Sequence, residues 1–230
     1  MTRELLIFGA GGYLGKGITS SLLSKNYDKI YLFDFDISKI KTEKENVVLI
    51  DTSDLSEEDN VMNVLSKVSP GKDKILFLYS TIGGFSGGRK IWDAEIADYQ
   101  KMMTINLQTS FLIAKHFSKL VKDSLAGSIC FTAALTGLKE EVGKGVYGVS
   151  KAALIHLVKT LALEGKEINL SVNALAPYII DTPANRDWMK EADYSSWIKP
   201  EEVGELVHDL FTRFNFVTGN VIKLTNRFAI

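Results

Sequence analysis

Leu5-Leu6-Ile7-Phe8-Gly9-Ala10-Gly11-Gly12-Tyr13-Leu14-Gly15 decides how this chain folds. Four apolar residues read as a buried strand, and glycines follow at once. Helical spacing begins behind them, with Ile18, Leu22 and Leu23 on one face and Lys16, Ser20 and Lys25 on the other. A strand that turns through glycine into a helix is the physical form of a dinucleotide-binding fingerprint. Glycine permits the tight turn and brings the backbone close to a pyrophosphate, whose charge then rests on the helix N-terminus. Gly9, Gly11, Gly12, Tyr13, Leu14 and Gly15 are therefore candidate cofactor contacts. The plain alternative is a tight turn without a ligand, and the next strand argues against it. Leu32-Phe33-Asp34 places a carboxylate about 20 residues beyond the fingerprint, where such a group takes ribose hydroxyls. A carboxylate there repels a 2'-phosphate, so the expected cofactor is NADH, with NADPH disfavoured. Asp51, ending the third strand, is a candidate adenine contact.

Outward from this turn, short apolar runs recur: Leu5 to Phe8, Ile30 to Phe33, Val47 to Ile50, Ile75 to Tyr79, Ser128 to Thr132, Leu170 to Ala174 and Val221 to Leu224. Longer stretches with helical spacing lie between most of them, among them Tyr99, Met103, Leu107 and Phe111, which is the rhythm of βαβ units and a parallel sheet. No repeat, low-complexity tract or linker divides the chain, so residues 1–230 read as a single α/β domain. Two segments are loop-like: glycine-rich 82–89, and 178–200, which carries Trp188, Tyr194 and Trp197 and is a candidate substrate lid.

Composition narrows the function classes. Lys and Arg together number 27 against 28 Asp and Glu, a net charge of −1, which leaves no electrostatic footprint for nucleic acid or an anionic membrane. Cys130 is the only cysteine, so an internal disulfide and a cysteine-rich metal site are excluded. His116, His156 and His208 are scattered without a carboxylate or cysteine pattern, and no metal is expected. Residues 39–45 mix both charge signs and read as a solvated helix or loop. Met1-Thr2-Arg3-Glu4 leads straight into the first strand with no signal-peptide pattern, no apolar run has the length of a membrane span, and the expected location is cytoplasmic.

The chemistry-bearing motif is Tyr147-Gly148-Val149-Ser150-Lys151. A tyrosine and a lysine four residues apart share one helix face. A free phenol titrates near ~10, and a neighbouring ammonium favours its anion, so Lys151 is expected to lower the Tyr147 pKa towards a useful acid/base range.

Taken in order, the glycine turn, Asp34, Asn106 in a helix, Tyr147 with Lys151, and Asn173-Ala174-Leu175-Ala176-Pro177 leading to Thr182-Pro183 resemble the short-chain dehydrogenase/reductase family over essentially the whole chain. The resemblance implies a doubly wound Rossmann fold of about seven strands. It also implies Tyr147 as proton donor, Lys151 on the nicotinamide ribose, Asn106 supporting a proton relay, and Gly83, Pro177 and Thr182 at the nicotinamide end, Thr182 near the carboxamide. In that family two helices per subunit, here around Met103 to Val121 and Tyr147 to Leu163, pair across a two-fold axis. Leu154, Leu157, Val158 and Leu161 place apolar groups on more than one side of the second, so a homodimer is expected.

Two departures narrow the reading. The family usually carries a serine about 13 positions before the tyrosine, where this chain has Ala134. Its Asn-Asn-Ala-Gly after the fourth strand is replaced by Ser80-Thr81-Ile82-Gly83-Gly84-Phe85-Ser86-Gly87-Gly88. Both, together with Asp181-Thr182-Pro183-Ala184-Asn185-Arg186 and Glu191 to Trp197, are similar to the quinonoid dihydropteridine reductase branch. The implied substrate is a pterin, with Phe85 and Trp197 as flat groups against its ring. Thr132 or Thr136 could instead lend the hydroxyl that Ala134 lacks, which keeps reduction of another carbonyl or imine open. A dinucleotide-binding sensor without turnover is the remaining alternative.

Overall fold

Each of the seven apolar runs is a strand: β1 (Thr2–Phe8), β2 (Lys29–Asp34), β3 (Val47–Asp51), β4 (Lys74–Ser80), β5 (Ala126–Thr132), β6 (Leu170–Pro177) and β7 (Val221–Leu224). They form one parallel sheet in the order β3-β2-β1-β4-β5-β6-β7 in the computed structural model, which describes residues 1–228. The helices are α1 (Tyr13–Leu23), α2 (Glu58–Leu65), α3 (Ile96–Met103), α4 (Thr109–Lys122), α5 (Gly145–Glu164), α6 (Pro183–Trp188) and α7 (Pro200–Thr212). The parallel sheet is what the apolar rhythm predicts, and its order is the Rossmann architecture that the family resemblance implies. Strand order reverses between β1 and β4, and in such sheets ligands bind in the crevice beyond the strand ends at that reversal.

The strand period sorts the core into two layers. Leu6, Phe8, Tyr31 and Phe33 point to one face, covered by Phe117 and Val121 of α4 and Leu154 and Val158 of α5. Leu5, Ile7, Ile30 and Leu32 point to the other, covered by Ile18 and Leu22 of α1 and Val203 and Val207 of α7. The Phe8 and Phe33 rings stack at 4.2 Å on adjacent strands, which locks the register Phe8↔Phe33. On β4 the same level is Ser80, and on β5 it is Phe131, so the ends of β1, β4 and β5 open onto one crevice.

Three local expectations change. Tyr99, Met103, Leu107 and Phe111 do not run along one regular helix, because a five-residue π turn, Thr104–Gln108, separates α3 from α4. Nor does that stripe face the sheet: Tyr99 and Phe111 are exposed, while Met102, Asn106 and Ile113 are buried. Residues 178–200 are not a plain loop. They contain α6 and a 3₁₀ turn, Tyr194–Ser196, closed by a bridge between Ile180 and Ile198. The stretch Gly145–Ile168, with mean hydropathy 1.3, is long and apolar enough to cross a bilayer by length and composition, unlike any run the sequence reading singled out. In this fold it packs against β6 and carries a buried lysine.

Candidate active site

The glycine turn is built for close approach. Gly9 adopts φ +77°, and a Cβ there would fall 2.4 Å from Thr81 Oγ1 on the β4 side. A Cβ on Gly15 would lie 1.9 Å from the Gly9 carbonyl, so α1 can start against the turn only with glycine at that position. The first-turn amides of Tyr13, Leu14 and Gly15 have no carbonyl a turn behind them to bond, which leaves donors and the positive end of the helix dipole for an anion. Tyr13 and Leu14 line the adjoining cavity. This cradle fits the pyrophosphate of a dinucleotide.

Asp34 does more than end β2. Its carboxylate accepts from the amide of Gly11 at 2.7 Å and from that of Asp36 at 3.2 Å, so the acidic residue braces the turn it follows. Sequence spacing shows none of this, because the contact closes over 23 residues through the β1–β2 pairing. Asp51 sits beside it in register, exposed at the end of β3.

Past the turn lies a cavity of about 500 Å³, lined among others by Gly83, Phe85, Ala134, Tyr147, Lys151, Pro177, Thr182 and Trp188. Asn106 organises its floor. Because the π turn swings it inward, this fully buried side chain accepts from the Gly84 amide at 2.9 Å and donates to the Gly84 carbonyl at 3.0 Å and to Ser150 Oγ at 2.9 Å. The amide thereby ties the glycine loop to α5. A Cβ on Gly83 would stand 2.8 Å from Asn106 Oδ1 and 3.0 Å from Lys151 Nζ, so a larger residue would displace these polar groups. Thr182 caps α6, its hydroxyl accepting from the Asn185 amide at 3.3 Å.

Tyr147 and Lys151 do share a face of α5, but their electrostatics reverse the sequence expectation. Lys151 Nζ donates to the Thr132 carbonyl at 2.8 Å and stands 6.0 Å from the centre of the Tyr147 ring. Burial of the ammonium brings its pKa down from 10.5 to about 8. Burial likewise pushes the Tyr147 phenol up to about 12, with the Glu141 carboxylate adding to the rise. Desolvation is the leading cause of both shifts. Tyr147 is therefore held protonated across the neutral range.

The hydroxyls around Ala134 are committed elsewhere. Thr132 Oγ1 donates to the Ser80 carbonyl at 2.9 Å and shares a 2.8 Å bond with the Tyr79 hydroxyl inside the sheet. Thr136 donates to Glu141 at 2.5 Å, and the other Glu141 oxygen accepts from Lys144 at 2.6 Å.

The aromatic wall differs from the expected one. Trp197 is buried, packs against Tyr194 at 4.8 Å and does not line the cavity. Trp188, on α6, takes that place: its ring centre is 5.5 Å from that of Phe85, which is itself edge-on to Tyr147 at 5.0 Å. Residues 178–200 hold two tryptophans nine residues apart, and only the path of the chain through α6 distinguishes them. Glu141 and Lys144 join the site at its rim, and their i, i+3 spacing just before α5 is the local signal of that pair. Two histidines make side-chain hydrogen bonds, His116 with Glu58 at 2.7 Å and His208 with Tyr27 at 3.0 Å, and His156 is exposed.

Known proteins resemble this chain in sequence and in fold. Dihydropteridine reductase of Dictyostelium discoideum is 27% identical over 231 residues, covering 99% of this chain and 96% of that protein. Carbonyl reductase family member 4 of Xenopus laevis is 25% identical, with 96% of each chain covered. Among solved structures, a 3-oxoacyl-[acyl-carrier protein] reductase with bound NAD from Brucella melitensis superimposes with a TM-score of 0.81 at 22% identity, over 97% of this chain and 89% of that one. Residues 3–193 match the family model described as short chain dehydrogenase. With its reversed seven-stranded sheet, glycine cradle and Tyr147–Lys151 pair, the chain belongs to the short-chain dehydrogenase family.

Proposed function

We propose that this protein is an NADH-dependent reductase of a quinonoid dihydropterin, consuming NADH and a proton and yielding NAD⁺ and the tetrahydropterin. A bound dihydronicotinamide supplies the hydride. The chain's own part is to bind, orient and protonate. Gly9 to Gly15 and the start of α1 hold the pyrophosphate, Asp34 takes the ribose hydroxyls and disfavours a 2'-phosphate, and Asp51 borders the adenine. Lys151 and Thr182 hold the nicotinamide end, and Asn106 keeps the glycine loop against α5. Tyr147 keeps its proton at Oη until the substrate takes it. Phe85 and Trp188 offer flat apolar surface to a fused ring and keep water away from it.

One observation carries the pterin reading. Ala134 lines the cavity without a hydroxyl, and the Thr132 and Thr136 protons are already spent within the protein. A ketone would lack the second donor that polarises its carbonyl, whereas an electron-poor conjugated ring accepts hydride without one. The 27% identity to a dihydropteridine reductase supports the same reading. The carbonyl reductase relative favours a second one, reduction of another carbonyl or imine.

The test is NADH and NADPH oxidation with quinonoid dihydropterin generated in the cuvette, beside simple ketones and aldehydes. NADH-dependent pterin turnover with inert ketones is expected, in a cytoplasmic enzyme. Ketone turnover alone refutes the pterin reading, and NADH binding without turnover makes the protein a sensor. Tyr147→Phe should lower kcat by about 10²-fold or more while NADH affinity holds. The outward apolar residues Phe111 on α4 and Val149 and Leu163 on α5 support a homodimer through these two helices. A monomer by light scattering at micromolar concentration would reject it.

A further inference from the structure

Every charged side chain lining the 500 Å³ cavity is a cation: Lys144 and Lys151 are present, and no Asp or Glu is among the lining residues. Lys151 lies in the floor, bonded to the Thr132 carbonyl. Lys144 is different. It precedes α5, with its side chain partly exposed and its Nζ 6.0 Å from the centre of the Trp188 ring. Glu141, outside the lining, holds that ammonium at 2.6 Å through one oxygen and the Thr136 hydroxyl through the other. The backbone is anchored as well. Lys144 bridges to Arg89, and the Gly88 amide donates to the Gly143 carbonyl at 2.8 Å, which joins this turn to the glycine loop that carries Phe85.

We propose that Lys144, positioned by Glu141, is the specificity-determining residue of this cavity and takes the carbonyl or enolate oxygen of a flat ring packed on Phe85 and Trp188. The inference rests on the reductase reading above and names the substrate edge that the site recognises. An ammonium has three protons to donate, and Glu141 occupies one. Ala134 can donate nothing, and the Thr132 and Thr136 protons are committed, so beside Tyr147 the remaining lining donors include the hydroxyls of Tyr13, Tyr178 and Thr182 and the ammonium of Lys144, the one charged donor not tied to the backbone. Tyr147 serves the proton transfer. Lys144 then reads the electron-rich edge away from the reacting atoms, and a cation-only lining disfavours positively charged substrates. A pterin meets this demand through its ring carbonyl.

The experiment compares the full-length wild type with K144M, K144R and E141Q, using quinonoid dihydropterin at saturating NADH, with NADH affinity read separately by nucleotide fluorescence. K144M should raise KM for the pterin by about tenfold or more, as expected for the loss of a charged donor, with a smaller change in kcat and unchanged NADH affinity. K144R should recover part of the loss. E141Q should raise KM by roughly threefold, because the ammonium remains but is no longer held. A pterin KM in K144M within about twofold of the wild type overturns the assignment. Wild-type protein that fails to reduce the pterin refutes the function proposed above instead. In that case Lys144 is read on two matched ketones, one bearing a carboxylate and one its methyl ester. Their ratio of kcat/KM should fall about tenfold in K144M, and an unchanged ratio overturns the role of Lys144.

Discussion

Replacing Lys151 with methionine should stabilise the fold while removing activity. The lysine is buried, and its ammonium loses a proton at about 8 instead of 10.5. That fall corresponds to about 3 kcal/mol of destabilisation carried by the charged form in the folded state. Methionine has similar length and no charge, so it removes this cost. It also abandons the Thr132 carbonyl, which Lys151 Nζ approaches at 2.8 Å, at a cost of about 1–2 kcal/mol. The net gain near neutral pH is about 1–2 kcal/mol, or roughly 5 °C in Tm for a chain of this size. Its pH dependence follows from the two protonation states. Below about 8 the lysine is charged in both the folded and the unfolded chain, and the whole penalty is present. Between about 8 and 10.5 the folded protein gives up its proton first, so wild-type stability rises relative to the variant, and above 10.5 only the abandoned carbonyl distinguishes them. Urea unfolding of both proteins, without nucleotide, at about pH 7 and about pH 10 measures the difference. The methionine variant should be the more stable at the lower pH and lose its advantage at the higher. A variant already less stable near pH 7, or a difference that does not change with pH, would refute the reasoning.

Other residues make separate demands. Ala134→Ser places a hydroxyl in the cavity beside Tyr147 and should raise kcat/KM for simple ketones relative to the pterin by about tenfold; unaltered selectivity would mean that the missing serine does not explain the preference. Asn106→Ala leaves both polar groups of the half-buried Gly84 without their partner and removes the donor to Ser150 Oγ, an expected loss of about 2–4 kcal/mol in urea unfolding. A loss below about 1 kcal/mol would show that the loop holds to α5 without it. Asp34→Asn keeps an acceptor for the Gly11 amide but removes the charge, so the preference for NADH over NADPH in binding should fall by about tenfold with little change in stability. Equal preference in variant and wild type would leave Asp34 as a brace only.

What the residues declare locally is considerable. All seven strands lie where the apolar runs place them, since a buried parallel strand is a short continuous run and nothing more distant is needed to recognise it. The glycine turn is equally local, because a missing Cβ is a property of the residue itself. Tyr147 and Lys151 share a helix face by spacing alone. The strand order that brings Gly9, Thr81 and Ala133 to one crevice was implied only by resemblance, and the pairings themselves belong to the folded chain.

Protonation, commitment and direction were decided by tertiary structure. Four-residue spacing predicts attraction between Lys151 and Tyr147, but spacing carries no dielectric, and burial moves both groups towards their neutral forms. Helical periodicity assigns Tyr99 to Phe111 one stripe, whereas a π turn redirects the chain so that Asn106 points inward and the stripe outward. Composition does not distinguish the two tryptophans of residues 178–200, and the folded chain buries Trp197 while α6 presents Trp188 to Phe85. Glu141 gathers Thr136 and Lys144 at the cavity rim through side-chain contacts that no backbone period reports. A sequence states each residue's own chemistry and its neighbours along the chain. The charge it keeps, the partner that claims its proton and the side it faces depend on the residues that folding packs around it.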